Sequence, residues 1–249
     1  MYYNVFGEGY PPLILIHGWT ANHTRWHILE KKLAANFKVV HYDLRGHGLT
    51  QKGPSLEYGF SAHLLDLRGL MDSLQLPRAV IVGHSMGGMI AQQFSLVFPE
   101  RVIKLILIGT SACVAVNEKE KAKLHRVAFL FRRLFRTTLF LKDHDKKKQP
   151  ELYIDQSNPS LRVSSVSASS NLLSIAGMDL RPRLKNLKTP TLVIASEDDK
   201  TVPFEQSKEL AGLIPDCEFR QTSGSGHHIM LEQPDFTARA IEEFIWEQD

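Results

Sequence analysis

Ala79-Val80-Ile81-Val82-Gly83-His84-Ser85-Met86-Gly87-Gly88 is the stretch on which the fold turns. Its first four residues are apolar, three of them β-branched, and read as a buried strand. A helical pattern follows and runs to about Phe98, where Pro99 stops it. Between the two lies Gly83-x-Ser85-x-Gly87, and that strand–turn–helix setting is what a nucleophile elbow requires. The serine must sit on a turn so sharp that side chains at the flanking positions would clash, hence glycine at both. Its hydroxyl is thereby pushed out above the sheet. It also lies at a helix N-terminus, where the amide dipoles favour a developing anion.

The same alternation extends outward in both directions. Leu13-Ile14-Leu15-Ile16, Val39-Val40-His41-Tyr42, Lys104 to Ile108 and Thr191-Leu192-Val193-Ile194 read as further buried strands, with another near Cys217 to Gln221. Helical patterns cover 24–35, 61–75 and 204–213, and Thr237, Ala240/Ile241 and Phe244/Ile245 mark a final amphipathic helix. Strands alternating with helices predict an α/β fold with a mostly parallel, doubly wound sheet. From about Ser111 to Lys188 the rhythm breaks. Residues 118–142 read as a basic amphipathic helix, with Leu124, Val127, Phe131 and Leu134/Phe135 along one face, and 160–175 read as helical. The chain is therefore expected to be one α/β core, 1–111 and 189–249, with a helical insertion over 112–188.

Composition narrows the class. The chain has 249 residues, 43% apolar and 23% charged, which suits an ordinary globular protein. Two cysteines, Cys113 and Cys217, are too few for a disulfide framework. The longest strongly apolar stretch, Leu105 to Val116, is 12 residues, too short to span a bilayer. Met1-Tyr2-Tyr3-Asn4 lacks the basic region of a signal peptide, so a cytoplasmic location without a membrane span is expected. Net charge is only +3, a weak signal for nucleic acid, and no nucleic-acid partner is expected. Its distribution says more: residues 112–188 hold 16 Lys or Arg against 7 Asp or Glu, a basic segment on an acidic body.

A serine hydroxyl is a poor nucleophile until a base takes its proton, and the base needs a carboxylate to orient it. In this architecture the expected order is Ser, acid, His. After Val193-Ile194 come three acids in a row, Glu197, Asp198 and Asp199, and all three are candidates. The histidine is expected after the last strand, where Ser223-Gly224-Ser225-Gly226 leads into His227-His228. The N–H of Met86, the residue after the nucleophile, is one donor for an oxyanion. No His-Glu-x-x-His, Cys-x-x-Cys, G-x-G-x-x-G or Walker A pattern is present, so neither a metal nor a cofactor is expected.

Taken together, His17-Gly18-Trp19, Asp43-x-Arg45-Gly46-His47-Gly48, the elbow, Asp199-Lys200-Thr201-Val202-Pro203 and Gly226-His227-x4-Glu232-Gln233-Pro234 resemble the α/β-hydrolase superfamily, specifically its small capped carboxylesterases. The resemblance covers nearly the whole chain and is weakest over 112–188, where that family carries its cap. It implies Asp199 as the acid, four residues before the Val-Pro proline, and His227 as the base. It implies Trp19 as the second oxyanion donor through its backbone N–H, with its side chain beside the acyl pocket. Two departures are Ser196, where the family usually has Gly, and Thr50, where Ser is common; neither is expected to touch the chemistry. Asp43, Arg45 and His47 are expected to form a structural hydrogen-bonded turn. Relatives that open epoxides or remove halide carry Asp at the elbow, and Ser85 argues against both.

The resemblance implies a metal-free serine esterase working through a Ser85-His227-Asp199 triad and an acyl-enzyme, as a monomer or dimer on a small-molecule ester. Phe131 and Phe135, with Phe129 and Phe140, are candidates to line an acyl pocket or to bury the cap against the core. Arg126, Arg132, Arg133, Arg136 and Lys146-Lys147-Lys148 make the cap basic. The group that hydrolyses pimeloyl-acyl-carrier-protein methyl ester in biotin synthesis is similar in plan, which implies an acidic carrier protein as a partner; an anionic membrane surface is another reading. Two other readings stay open: the same triad used for C–C bond hydrolysis or elimination, of the meta-cleavage or menaquinone-pathway type, and a ligand-binding receptor that kept the triad.

Overall fold

A computed structural model describes residues 1–52, 57–134, 152 and 158–247. Among them seven strands form a single sheet: β1 (Tyr3–Phe6), β2 (Leu13–Ile16), β3 (Val39–Tyr42), β4 (Ala79–His84), β5 (Val102–Ile108), β6 (Thr191–Ser196) and β7 (Cys217–Thr222). Their order is β1-β3-β2-β4-β5-β6-β7. β1 pairs antiparallel with β3, and every other neighbouring pair is parallel.

The helices are α1 (Leu29–Leu33), α2 (Phe60–Ser73), α3 (Met86–Val97), α4 (Glu118–Leu134), α5 (Ser165–Gly177), α6 (Arg181–Leu184), α7 (Phe204–Leu213), α8 (Ile229–Glu232) and α9 (Pro234–Trp246). Alternation along the strands sorts the core into two layers. Ile14, Ile16, Val40, Ile81, Leu105 and Leu107 face one side and pack with α2, α3 and α7 through Leu67, Ile90, Phe94 and Leu210. Leu13, Leu15, Val80, Val82, Ile106 and Ile108 face the other, against α1 and α9 through Leu29, Leu33, Ile241 and Phe244. Both faces are covered, which is why the central strands read as unbroken apolar runs rather than as alternating ones.

Three features differ from the sequence reading. β1 carried no signal: it is a four-residue edge strand with Tyr3, Val5 and Phe6 exposed, held by backbone pairing to β3 rather than by buried side chains. The helix expected over 24–35 is broken. A 3₁₀ turn, His23–Trp26, is capped by the Asn22 side chain accepting the Thr24 N–H, and α1 begins only at Leu29. The second insertion helix begins later than expected, at Ser165, because the Ser164 hydroxyl caps it by accepting the Ser167 N–H. The charged stretch 143–149 and the predicted end of the 118–142 helix lie outside the described residues.

α4 and α5 pack on each other, with the Ser169 hydroxyl donating to the Ala128 carbonyl at 2.9 Å. α5 is also tied to the sheet domain. The Ser164 N–H donates to the Gly46 carbonyl at 2.9 Å, and His63 Nε2 donates to Asn171 Oδ1 at 2.8 Å. Helix α5 is thus fixed over the carboxyl ends of the strands by polar contacts as well as by packing. No helix among the described residues is long and apolar enough to cross a membrane.

Candidate active site

Ser85 stands between β4 and α3 with φ +53° and ψ −121°, a conformation in which a non-glycine residue is strained by about 1–3 kcal/mol. The surroundings hold it there. Its N–H donates to the Ile108 carbonyl at 3.0 Å, and its own carbonyl accepts from Thr110 Oγ1 at 2.7 Å. The flanking glycines are demanded by close approach. A Cβ at Gly83 would lie 2.5 Å from the Gly87 carbonyl oxygen, and one at Gly87 would lie 2.1 Å from the Ile16 carbonyl oxygen. The elbow is therefore wedged between β2 and its own helix, and Ser85 itself is left half-buried.

The three acids separate cleanly. Asp199 Oδ2 accepts from His227 Nδ1 at 2.7 Å, while Oδ1 accepts the N–H groups of Thr201 at 2.8 Å and Val202 at 3.0 Å. Asp198 instead accepts the Gly224 N–H at 2.7 Å, and Glu197 accepts from the Gln221 amide at 2.9 Å. Asp199 and His227 are both buried. An ionised carboxylate on Nδ1 fixes the imidazole proton there, which leaves Nε2 with its lone pair, the form a general base needs. His228, the competing histidine, starts α8, its carbonyl accepting the Leu231 and Glu232 N–H groups.

The loop that carries His227 is laced down by side chains to which the sequence reading gave no role of their own. Glu232 accepts the Gly226 N–H at 2.7 Å, and the Gln233 amide donates to the Ser223 carbonyl at 2.6 Å. The Ser196 hydroxyl donates to the Ser225 carbonyl. Ser196 thus touches the site's support, two residues before His227, where glycine would offer no such bond. Thr50, the other departure, accepts the Tyr2 N–H at 2.9 Å and donates to the Asp43 carbonyl at 2.7 Å, which anchors the N-terminus. The spacing Gly-His-x4-Glu-Gln-Pro held the signal for Glu232 and Gln233; only the fold shows what their side chains bind.

Two backbone donors were expected at the elbow. Met86 opens α3 directly after Ser85. Gly18 runs beside the elbow, since a Cβ on it would lie 3.1 Å from Ser85 Cβ, and this brings the following residue, Trp19, to the same rim. The Trp19 indole N–H donates to the Ala168 carbonyl of α5 at 2.9 Å, and its ring stacks at a tilt on Phe131 with centroids 5.8 Å apart. Trp19 and Phe131 pack against Val163 and Ala168. Phe129 does neither of the things expected of it: it is 59% exposed, with the Arg133 guanidinium over its ring. Phe135, Phe140, Arg136 and Lys146 to Lys148 lie outside the described residues.

The Asp43–Gly48 segment is a turn built around one carboxylate. Asp43 accepts the His23 N–H at 2.6 Å and the Leu49 N–H at 2.7 Å, and pairs with His23 Nδ1 at 2.9 Å. Burial alone would raise its pKa, but the His23 hydrogen bond, the nearby His17 and His23 rings and the Leu49 amide outweigh burial and hold it below the usual value. Arg45 makes a two-pronged pair with Asp66 at 2.6 Å on each side. Behind the turn, His17 donates from Nδ1 to the Gly18 carbonyl at 2.9 Å and accepts the Leu44 N–H at Nε2, 3.0 Å. Among the described residues, no three His, Cys, Asp or Glu side chains are grouped as a metal ion would need.

Residues 13–240 match the model of the alpha/beta hydrolase family. The pimeloyl-[acyl-carrier protein] methyl ester esterase of Serratia marcescens is 27% identical over 261 residues, covering 98% of both chains. The 2-hydroxy-6-oxo-2,4-heptadienoate hydrolase of Pseudomonas putida is 27% identical over 257 residues, covering 96% of this chain and 90% of its own. A solved thermophilic esterase from Thermogutta terrifontis, 28% identical, superposes with a TM-score of 0.84 over 98% of this chain and 92% of that one. The family match spans β2 to β7, the elbow and the acid and histidine loops, and the chain belongs to the alpha/beta hydrolase family.

Proposed function

We propose that this protein is a serine esterase that cleaves carboxylic esters through Ser85, His227 and Asp199. The observation that carries the reading is the 2.7 Å hydrogen bond from His227 Nδ1 to Asp199, beside a serine held on a strained elbow. Ser85 Oγ attacks the acyl carbon while its proton passes to His227 Nε2. The oxyanion accepts hydrogen bonds from the backbone N–H groups of Trp19 and Met86. As the tetrahedral species collapses, the C–O bond breaks and the His227 proton goes to the departing alkoxide. Water, deprotonated by His227, then attacks the acyl-enzyme; the acid leaves and Ser85 regains its proton. Helices α4 and α5 form the cap, and Trp19 and Phe131 wall the acyl pocket. The test is hydrolysis of p-nitrophenyl esters from two to twelve acyl carbons, with turnover expected and a chain-length optimum that sizes the pocket. Folded protein that turns over none of them, yet hydrolyses a vinylogous diketone, would move the reading to C–C bond cleavage.

Lys123, Arg126, Arg132 and Arg133 are exposed on α4. With the Serratia relative, that basic face supports an acidic carrier protein bearing the acyl group. Reversing Arg126, Arg132 and Arg133 to Glu is expected to raise KM for a carrier-linked methyl ester by about tenfold or more at low salt. KM for a p-nitrophenyl ester should stay unchanged. Equal KM values for the carrier-linked ester before and after reversal would remove the carrier from the reading.

A further inference from the structure

We propose that His84, the residue before the elbow serine, is a positioning residue that sets the distance from nucleophile to base by holding the backbone of His227. This rests on the reading of Ser85 and His227 as nucleophile and base. His84 Nε2 donates to the His227 carbonyl oxygen at 2.9 Å, between residues 143 apart in sequence. The other ties on the His227 loop, from Ser196, Asp198, Glu232 and Gln233, fasten it to the end of β6 and to the segment around α8. The His84 bond fastens it to β4, the strand that presents Ser85. Nucleophile and base are thus joined through one covalent step and one hydrogen bond.

The need for such a tie follows from the loop. Asp199 grips the imidazole at a single atom, Nδ1, so the ring is free to pivot about that bond unless its backbone is fixed. The backbone is glycine-bearing, with Gly224 at φ +76° and Gly226 directly before His227. Gly109 packs against the same pair: a Cβ there would lie 3.4 Å from Asp199 Oδ2 and 3.5 Å from His227 Nδ1.

His84 suits the task chemically. It is fully buried, with the Trp26 ring edge-on to it and its own ring 4.6 Å from that of His227 and 5.3 Å from that of His228. Burial first, and then the two neighbouring imidazoles, hold it neutral. A neutral ring donating from Nε2 places no charge against the imidazolium that forms on His227 during turnover. A lysine or arginine donor would repel that cation at the same distance.

The experiment compares His84→Gln with His84→Asn. A glutamine amide nitrogen falls near the position of histidine Nε2, and an asparagine amide nitrogen falls short, near Nδ1. The expected result is that His84→Gln keeps kcat on a p-nitrophenyl ester within a few-fold. His84→Asn should lose kcat by about a hundredfold, the scale of a 1 Å misplacement, with KM little changed. Labelling of Ser85 by a fluorophosphonate should slow in parallel, and the low-field proton resonance of the Asp199–His227 pair should shift in the asparagine variant alone. Thermal melts of the two variants show whether both are folded. Two folded variants with equal kcat, whether both near wild type or both depressed, overturn the proposal. Ser85→Ala runs beside them: if it retains turnover, the triad reading itself has failed, whereas an inert Ser85→Ala with a fully active His84→Asn removes His84 alone.

Discussion

Ser85→Ala is expected to lower kcat on p-nitrophenyl esters by roughly five orders of magnitude, with the melting temperature held or raised. The loss follows from the division of labour. In the proposed mechanism, loss of Oγ leaves no nucleophile for His227 to deprotonate and only water oriented near the two oxyanion donors, with an expected residual rate of about 10³–10⁴ over solution. The stability side follows from the backbone. Ser85 is a non-glycine residue at φ +53°, and in the proposed mechanism its hydroxyl serves the reaction rather than the core, so alanine is expected to keep the same backbone strain at little structural cost. Asp199→Asn belongs to the same argument. It keeps the shape but lets the imidazole take the wrong tautomer, and kcat is expected to fall about 10⁴-fold. Stopped-flow and steady-state turnover on the same protein preparations, with a melt of each, measure both effects. Ester turnover by Ser85→Ala within tenfold of wild type would sink the assignment of Ser85.

Acid is expected to strip stability from this fold well above the pH at which its carboxylates titrate. Seven histidines are buried among the described residues, and burial acts most strongly on four of them, His17, His47, His63 and His84. Burial lowers His17 and His63 from 6.5 to about 4, and holds His47 and His84 well below the ordinary value. In the unfolded chain each takes up a proton near pH 6.5, so between 6.5 and 4 the unfolded state binds more protons and stability falls as pH falls. His17 and His63 each contribute on the order of 3 kcal/mol to that loss at pH 4, and together they rival a typical domain's whole stability. Asp43, held below its usual value, runs in the same sense but only below pH 4, so it offsets nothing in this window. Hydrogen bonding sharpens the effect at His17: its Nε2 accepts the Leu44 N–H, and a proton there would set two donors face to face. Urea midpoints measured from pH 7.5 to 4.5 should hold nearly level to about pH 6.5 and decline below it. His63→Gln, which keeps a donor to Asn171 Oδ1, should flatten the decline. A midpoint that stays level down to pH 4.5 would refute the account.

Much of this molecule is legible in its sequence. The buried strands are short runs of Val, Ile and Leu between turns, and that pattern is local, because a strand covered on both faces has no polar side to show. The elbow is legible for a different reason: close approach of backbone to backbone admits only glycine at 83 and 87, on either side of a serine held at φ +53°. What escapes is whatever rests on pairing or on competition. β1 is an edge strand whose stability comes from β3, so its own side chains carry little signal. The 24–35 helix pattern is real in its apolar spacing, but the Asn22 cap and the fit of Trp26 into the core break it in two. Phe129 carries an apolar side chain at a plausible spacing, and only packing decides that Phe131 turns toward Trp19 while Phe129 faces out.

By itself, then, the sequence determined the alternating α/β order, the elbow and the two loops on which an acid and a histidine sit, because each is written in local steric and periodic constraints. It left three adjacent acids and two adjacent histidines as candidates on chemical grounds, and only family likeness chose among them. The tertiary structure decided the partners: Asp199 on His227, Asp198 on Gly224, Glu197 on Gln221, Ser196 on Ser225 and His84 on His227. Those bonds join residues that the chain brings together only when β4, β6 and the loop after β7 meet at one end of the sheet. A hydrogen bond of under 3 Å between residues 143 apart is a property of the assembled fold, and no pattern in the neighbouring sequence encodes it.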